Sequence, residues 1–360
     1  MVKGNARKNI LVLRYRFIGD TILTVPFLRN LRRAEPDARI VWVVDPATAD
    51  VVKGIPYVDE LVFWDPARPH GDGRGTHRTL RDKLRFVREL HRRRFDKVYV
   101  LKRSLSSAII ALLTGARSRV GFNTEGRGPL LTTRVPYRHD RHEVENFLAV
   151  LRADRVPVHD THLEAWLSAD EQGFAARFLE LHGVGAGEKL VGIHPFASNQ
   201  VRAWHEENFI AVANELQGRY GARIVLFGGE RDREPAARMA ERIVPAPVMA
   251  VGETTLRQSM ALLARCGLLV CNDSGVMHLG AALGVPLVAI FGPQSPVKFG
   301  PWGERCRVVH SGFPCSPCRQ KFFTECEPSP RGKPRCLEAI SVQMVLDQVE
   351  NIAGNWFRGR

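Results

Sequence analysis

The sequence predicts an α/β protein built from two doubly wound domains, each a parallel sheet flanked by helices. The chain has 360 residues, which is more than one hydrophobic core usually serves. Short apolar runs, typical of buried parallel strands, alternate along it with amphipathic helical segments. The alternation occurs in both halves, so the carboxyl ends of the two sets of strands are expected to line a shared ligand-binding cleft.

The N-terminal half begins with an apolar run at residues 10–13, which predicts a buried strand. The chain then passes through Gly19 and Asp20 into a predicted helix. The apolar residues of that helix are Ile22, Leu23, Leu28 and Leu31. Pro36 ends it, and further strands are predicted at residues 40–44 and 98–101.

A basic helix is predicted between the second and third of these strands. Its apolar residues repeat at helical spacing: Leu80, Leu84, Val87 and Leu90. Between Arg78 and Arg103, eleven Lys and Arg residues stand against three Asp and Glu, and the whole chain has a formal net charge of +14. The basic outer face is either simply solvated or a patch that meets an anionic surface.

The C-terminal half has the same pattern. Strands are predicted at residues 190–193, 224–227, 268–271 and 287–290, with helices at residues 206–220 and 276–283. We expect an N-terminal domain at residues 1–168, a C-terminal domain at residues 169–345 with a cysteine-rich segment at 306–336, and a terminal helix or tail at 346–360.

A polar turn joins the strand at 268–271 to the helix that follows. Asp273, Ser274 and Gly275 place backbone N–H groups and a hydroxyl at a helix N-terminus. Such a terminus binds anions, and it suits the phosphates of a nucleotide or phospho-ligand. The alternative for Asp273 is a plain helix N-cap.

Asp20 occupies the equivalent place in the N-terminal half, where the first strand gives way to the first helix. One interpretation is an N-cap, because an Asp side chain accepts hydrogen bonds from first-turn N–H groups. The other is a carboxylate that acts as a general base. Gly19 would let the backbone turn sharply beside a ligand.

Four motifs in order resemble those of the ADP-heptose:lipopolysaccharide heptosyltransferases, glycosyltransferase family nine. They are Phe17-Ile18-Gly19-Asp20-Thr21, His194-Pro195 with Arg202-Ala203-Trp204, Asp273-Ser274-Gly275-Val276-Met277-His278, and Phe291-Gly292-Pro293. The resemblance runs from about residue 10 to about residue 350. It implies a GT-B fold of two Rossmann-like domains with the active site between them. It also implies an inverting transfer of heptose from ADP-heptose to a lipopolysaccharide core acceptor.

The resemblance implies roles for individual residues. Asp20 matches the catalytic carboxylate that deprotonates the acceptor hydroxyl. The donor and nucleotide site is implied at Ser198, Arg202, Gly228, Gly229, Glu230, Asp273, Ser274, Gly275 and His278. The acceptor side is implied at Lys102, Arg103, His142 and Glu145. Arg202 stands where the family often has Lys, and its guanidinium is a fork donor to phosphate. No cofactor is expected for catalysis, since the helix N-terminus and Arg202 would stabilise the departing diphosphate.

Four cysteines form the pattern Cys315-x2-Cys318-x7-Cys326-x9-Cys336. Two cysteines separated by two residues commonly form half of a tetrahedral thiolate site, and four thiolates suit zinc or iron. We therefore predict a structural zinc or iron site, with reduced thiols packed in a loop as the alternative. Disulfides are disfavoured in a cytoplasmic chain.

The predicted partners are ADP-heptose or a similar nucleotide sugar, and a lipopolysaccharide core or lipid A acceptor. No secretory signal or membrane span is recognised, so the protein is expected in the cytoplasm, peripheral on the inner face of the inner membrane through its basic surface. A glycosyltransferase of the same fold with another sugar donor, or with a protein acceptor, is the nearest alternative.

Two classes of protein outside the glycosyltransferases are disfavoured. The basic residues lack the interleaved aromatic residues of nucleic-acid-binding proteins, so no nucleic acid partner is expected and that function is a remote alternative. No Gly-x-Gly-x-x-Gly follows the first strand, which argues against a nucleotide-dependent oxidoreductase.

Overall fold

The computed structural model describes residues 7–66, 76–318, 326 and 329–359. The chain forms two compact units, of which the first ends at His162 and the second begins at Leu163. Each unit contains a six-stranded sheet whose paired strands all run parallel. The predicted fold class, an α/β chain with two doubly wound sheets, is confirmed.

The first unit has its strands in the order β3-β2-β1-β4-β5-β6. These strands are β1 (Asn9–Leu13), β2 (Arg39–Val44), β3 (Glu60–Phe63), β4 (Lys97–Val100), β5 (Ser118–Phe122) and β6 (Thr133–Val135). Its helices are α1 (Ile18–Leu23), α2 (Val25–Ala34), α3 (Pro46–Ala49), α4 (Leu80–Arg92), α5 (Leu105–Leu113) and α6 (Glu143–Ala153).

The second unit has its strands in the order β12-β11-β10-β7-β8-β9. These strands are β7 (Leu190–His194), β8 (Arg223–Leu226), β9 (Val248–Met249), β10 (Leu268–Asn272), β11 (Leu287–Phe291) and β12 (Cys306–His310). Its helices are α7 (Ala169–Leu181), α8 (Glu206–Tyr220), α9 (Arg233–Ala240), α10 (Leu256–Leu263), α11 (Gly275–Ala282), α12 (Pro296–Phe299), α13 (Arg335–Glu338) and α14 (Val342–Phe357).

The two sheets have the same topology. In each unit the first strand lies between the second and the fourth, so β1 neighbours β4 and β7 neighbours β10. The direction of winding reverses between these two strands. Ligands of open α/β sheets bind outside the carboxyl ends of the strands at this switch point. The chain therefore has two such positions, one beyond β1 and β4 and the other beyond β7 and β10.

The segment after β1 differs from the single helix that the sequence predicts. Two helices, α1 and α2, meet at Thr24. Pro26 has no N–H to donate to a carbonyl one turn earlier, so the first helix cannot continue through it. The amide of Leu28 donates to the Thr24 carbonyl instead, at 3.2 Å, and a second helix begins there.

The buried face of α4 contains only part of the predicted apolar stripe. Thr79 and Asp82 form a capping box that begins the helix. Phe86 and Leu90 are its buried residues, whereas Leu80 and Leu84 lie exposed. Leu90 and the partly buried Val87 of the predicted stripe contact the core, and Phe86 joins them in place of Leu80 and Leu84.

The last long helix, α14, is part of the second unit. It packs against α8, β11 and β12, and its apolar residues Val345, Val349 and Phe357 belong to the core cluster of that unit. No helix in the described part of the chain combines the length and the apolar character that crossing a bilayer requires.

Candidate functional site

Asp20 lies in the first turn of α1, just beyond the carboxyl end of β1. Phe17 holds the N-cap position, so the N-cap interpretation of Asp20 is wrong. Arg16 and Phe17 both have positive φ, at 78° and 58°. A positive φ is unfavourable for bulky residues, and such strain is concentrated at functional sites. The strained turn sets Asp20 and its neighbours at the end of the strand.

The Asp20 carboxylate forms an ion pair with Arg14. The distance from Arg14 Nη2 to Asp20 Oδ1 is 2.5 Å, and the two side chains are 11 % and 17 % exposed. The Arg14 guanidinium also lies 5.3 Å from the centre of the Phe147 ring. Trp42 Nε1 donates to the Arg14 carbonyl at 3.0 Å. Arg14 is thus fixed by contacts from β2 and α6, and it fixes Asp20 in turn.

Lys102 and Arg103 follow β4, whose carboxyl end adjoins that of β1. Lys102 Nζ lies 4.8 Å from the centre of the Tyr15 ring. Burial, followed by the charges of Arg14 and Arg16, lowers the pKa of Lys102 to about 8, although Asp20 opposes the shift. Four cations therefore gather near one carboxylate, and the locality has a net positive charge suited to an anionic ligand.

Arg127 fixes the loop that carries Lys102 and Arg103. Its side chain is fully buried and donates to the carbonyls of Phe122 at 2.7 Å, Ser104 at 3.1 Å and Lys102. Burial lowers the pKa of Arg127 to about 10. The Arg127 guanidinium thus ties the loop after β4, through Lys102 and Ser104, to the end of β5 at Phe122.

Arg14 and Arg127 are not among the site residues predicted from sequence. Arg14 is the first residue after β1, and a basic residue at a strand end is a usable sequence signal. Arg127 has no such signal, because its partners are carbonyls up to 25 residues away along the chain.

His142 and Glu145, predicted on the acceptor side, have contacts typical of a helix start. His142 is the N-cap of α6, and its Nδ1 accepts from Val144 N at 3.2 Å. Glu145 pairs with Arg152 at 2.8 Å. Their role toward an acceptor stays a prediction.

In the second unit, two residues at the ends of β7 and β10 connect the switch-point strands. His194 is buried, and burial lowers its pKa to about 4, so its imidazole is neutral at pH 7. Its Nδ1 lies 3.4 Å from Ser274 Oγ. Asn272 accepts from Trp204 N at 3.0 Å and donates to the Pro195 carbonyl at 2.6 Å. These bonds dock the loop after β7 onto the end of β10.

That loop brings three predicted donor-site residues together. Arg202 Nη1 lies 3.3 Å from Asp273 Oδ2, and Arg202 Nη2 donates to Ser198 Oγ at 3.0 Å. Burial raises the pKa of Asp273, and the Arg202 charge opposes the shift. Arg202 Nε is buried without a hydrogen-bond partner among the described residues. A buried, unpartnered N–H is suited to an acceptor oxygen from a ligand.

Ser274 is the N-cap of α11, which begins at Gly275, yet its side chain makes no capping hydrogen bond. The first-turn N–H groups are therefore not satisfied by this side chain and are available to an anion. His278 lies one turn further along the same helix and is buried. The Asp273–His278 stretch thus forms the strand-to-helix turn that the sequence predicts.

Gly228, Gly229 and Glu230 follow β8, the neighbour of β7. A Cβ on Gly228 would lie 2.8 Å from the Phe196 ring, so a side chain there would displace the aromatic residue. Gly229 N donates to Asp232 Oδ2 at 2.8 Å. Glu230 is exposed and pairs with Arg233 at 3.0 Å. Gly228 thus lies close against the loop that follows β7.

The four cysteines of the motif are present as thiols: Cys315, Cys318, Cys326 and Cys336. Burial raises the pKa of Cys336 to about 11, with a further contribution from the other three. The four sulfurs are thus close enough to interact electrostatically. No group of three or more potential ligands is arranged around a metal position within residues 7–66, 76–318, 326 and 329–359. Residues 319–325 and 327–328, between the cysteines, lie outside the described part.

More than half of the chain matches one known protein family. Residues 83–326 match the family described as Glycosyltransferase family 9 (heptosyltransferase). Lipopolysaccharide heptosyltransferase 2 of Escherichia coli K12 is 30% identical over 319 residues, which cover 83% of this chain and 87% of that protein.

Solved structures have the same architecture. A glycosyl transferase family 9 protein from Veillonella parvula superposes with a TM-score of 0.83 and 28% identity, covering 96% of this chain and 97% of that one. The structure described as E. coli ADP-heptose lps heptosyltransferase II has a TM-score of 0.75 and 24% identity, covering 97% and 99%.

Proposed function

Because this chain belongs to glycosyltransferase family 9, the heptosyltransferases, we propose that it moves heptose from ADP-heptose to a lipopolysaccharide core acceptor with inversion at the anomeric carbon. The observation that carries the proposal is the placement of the reactive side chains. Asp20, Lys102 and Arg103 follow the two switch-point strands of the first unit. Arg202, Asp273 and Ser274 follow those of the second.

Asp20 is assigned as the general base. The acceptor hydroxyl loses its proton to the carboxylate while its oxygen forms a bond to the anomeric carbon. The bond from that carbon to the diphosphate oxygen breaks, and its electron pair leaves with ADP. Attack opposite the leaving group inverts the anomeric centre, as in other inverting transfers through an oxocarbenium-like state. The ion pair with Arg14 supports this role by holding the carboxylate in one orientation.

The acceptor is assigned to the first unit. Arg14, Arg16, Lys102 and Arg103 give the locality of Asp20 its positive charge. Lipopolysaccharide cores carry carboxylates and phosphates, which such cations recognise by charge-assisted hydrogen bonds. His142 and Glu145 are assigned to the same acceptor from the family resemblance.

The donor is assigned to the second unit. Arg202, Ser198 and the N–H groups at the start of α11 would hold the diphosphate and stabilise its growing charge. Asp273 and His278 are assigned to the sugar, with Ser274 and Gly275 at the phosphate. Gly228, Gly229 and Glu230 are assigned to the nucleoside. None of these steps requires a cofactor.

The four cysteines are assigned to a structural metal, zinc or iron. Four soft thiolate donors suit either ion, and the proposal is supported by the other three cysteines adding to the effect of burial in raising the pKa of Cys336. Cys315, Cys318, Cys326 and Cys336 would hold such a metal, which would cross-link the segment between β12 and α13 and would take no part in the transfer.

The protein is proposed to work in the cytoplasm at the inner face of the inner membrane. The donor is a soluble nucleotide sugar, whereas the acceptor is anchored in the bilayer by lipid A. The surplus of positive charge supports contact with that anionic surface.

The test is an assay of nucleotide release from a panel of nucleotide sugars, with and without core-lipid acceptors. ADP-heptose with a lipopolysaccharide core acceptor should give the fastest release, and the new linkage should have the inverted anomeric configuration by NMR. Faster turnover of another nucleotide sugar, or transfer to a protein, would assign the chain to the alternative transferases. Salt-dependent nucleic acid binding without any turnover would contradict the enzymatic proposal altogether.

A further inference from the structure

Helix α5 exposes an apolar face to solvent. Its buried residues are Ser107, Ala108, Ile110 and Ala111. On the opposite side, Leu105, Ile109, Leu112 and Leu113 are each between 41 % and 46 % exposed. Their spacing of four, three and one residues along a helix puts them together on that side. A surface helix of a globular protein ordinarily carries polar residues there.

Helix α4 lies beside α5 and continues the apolar surface. His91 Nδ1, near the end of α4, lies 3.1 Å from the carbonyl oxygen of Leu113 at the end of α5. Leu80 and Leu84 of α4 are 73 % and 44 % exposed. Six of the eleven large hydrophobic residues that are exposed in the described part of the chain lie on these two helices. Scattered exposed leucines are ordinary, but a cluster marks an interaction surface.

The same helix α4 borders the apolar cluster with positive charge. It contains five Lys and Arg residues and two Asp and Glu. Arg81, Arg85, Arg88 and Arg92 recur every three or four residues, so they form a stripe along one side, and all four are exposed. By helical geometry this stripe adjoins the side that carries Leu80 and Leu84. The exposed sides of α4 and α5, the α4–α5 face, therefore combine an apolar centre with a cationic border.

We propose that the α4–α5 face seats the protein on a bilayer rich in anionic lipid. The apolar side chains would enter the boundary between headgroups and acyl chains, while the arginines would contact lipid phosphates. A second copy of this chain is a poorer partner, because a symmetric contact would bring two stripes of arginine together. The proposal rests on the proposed function only in that a lipid-anchored acceptor would lie in the same membrane.

The test is flotation of the full chain with vesicles, which does not depend on turnover. Vesicles of phosphatidylethanolamine and phosphatidylglycerol should carry the protein upward, and vesicles of phosphatidylcholine alone should not. Replacing Ile109 and Leu112 together by Gln should lower the bound fraction by about tenfold or more. Leu181 and Val297, also exposed but on other helices, provide the matched control pair for Gln substitution.

The charged border is tested in the same way. Arg81→Gln with Arg88→Gln should weaken binding by about fivefold for each charge removed, and added salt should reduce wild-type binding. The control removes two exposed arginines of the second unit, Arg242→Gln with Arg265→Gln. Unchanged thermal unfolding of each variant keeps loss of binding distinct from loss of the fold.

Three outcomes would overturn the proposal: no flotation of the wild type, equal losses in the control pairs, or a solution dimer that the Ile109 and Leu112 substitutions dissociate. An assay with a lipid-free core oligosaccharide tests the proposed function separately from membrane binding. The face variants should release nucleotide with that acceptor as fast as the wild type. Absent turnover with intact vesicle binding would count against the transferase assignment alone.

Discussion

Arg14 and Asp20 are joined by a 2.5 Å ion pair that links the end of β1 to the first turn of α1. The Phe147 ring and the Trp42 indole restrain Arg14 from two other elements. A mostly buried pair of this kind costs much of its Coulomb energy in desolvation, so its value lies in geometry more than in stability. It holds the proposed base in one place before any ligand arrives.

Replacing Asp20 by Asn should lower kcat by about 10²–10⁴ if the carboxylate takes the acceptor proton. The amide keeps the shape of the side chain but cannot accept that proton. Affinity for ADP, measured by calorimetry, should stay unchanged, because the nucleotide is assigned to the other unit. Full turnover in this variant would remove Asp20 from the mechanism.

Replacing Arg14 by Lys should lower kcat by about tenfold to a hundredfold while leaving the KM for donor unchanged. Lysine keeps the charge but loses the planar guanidinium that contacts both Asp20 and the Phe147 ring, so the carboxylate shifts. Steady-state kinetics with each substrate varied separately would measure the split. If Arg14→Lys lowered Tm along with kcat, the contact between Arg14 and Asp20 would instead be purely structural.

Replacing Arg202 by Ala should weaken ADP binding by about tenfold to a hundredfold, the range for a lost charge-assisted hydrogen bond. Arg202→Lys should recover part of the affinity. The exposed Arg265 provides a matched control for the loss of one charge. If ADP affinity and turnover both survive Arg202→Ala, the diphosphate site lies elsewhere.

The pKa of Lys102, about 8, predicts a pH dependence of acceptor binding. The Lys102 side chain is a charged ammonium below about pH 8 and loses its proton and its charge above that pH. The KM for an anionic acceptor should therefore rise between pH 7 and pH 9. Lys102→Arg should flatten the profile, because guanidinium stays charged throughout. Lys53→Arg, at an exposed position, is the control. A wild-type profile identical to that of Lys102→Arg would contradict the assignment.

The lowered pKa of Lys102 also makes the stability of the fold depend on pH. The shift is opposite in sign to the raised pKa that a lysine gains from a stabilising ion pair. The folded pKa lies below the unfolded value, so the unfolded chain binds more protons between about pH 8 and pH 10.5. The contribution of Lys102 to the free energy of unfolding therefore rises with pH across that window.

Replacing Cys336 by Ser should lower Tm by about 5 °C or more and release bound metal, if the four thiols hold zinc or iron. Elemental analysis of the purified protein and unfolding with and without chelator measure both effects. Cys306→Ser, a half-buried position outside the motif, is the control. If the wild-type protein contains no metal and Cys336→Ser does not change Tm, the four cysteines are reduced thiols packed in a loop.

Much of this architecture is predictable from the sequence for a simple reason. Strands buried on both faces are continuous apolar runs, so residues 10–13 and 268–271 mark the central strands directly. The polar turns that follow them lead to Asp20 and Asp273. Ligand sites of parallel sheets form at such strand ends, so their places can be read without the structure.

The contacts made by those residues cannot be read in this way. Arg202 and Asp273 are 71 residues apart, and their pairing depends on how the loop after β7 docks on Asn272. Likewise, the strained φ of Phe17 is imposed by the fold rather than by a glycine or asparagine that would signal it. Helical spacing also does not tell which apolar residues of α4 the core selects, so Leu80 and Leu84 are exposed while Val87 and Leu90, at the same spacing, contact the core.

The shared strand order of the two sheets has a consequence for how such a chain can diversify. Residues that would choose the acceptor follow β1 and β4, and residues that would choose the donor follow β7 and β10, in units with separate cores. A substitution at one pair of strand ends therefore falls in a unit whose core cluster is distinct from that of the other unit. If the assignments hold, a lineage with this topology can acquire a new acceptor by changes after β1 and β4 while it keeps the strand ends that would hold its sugar donor.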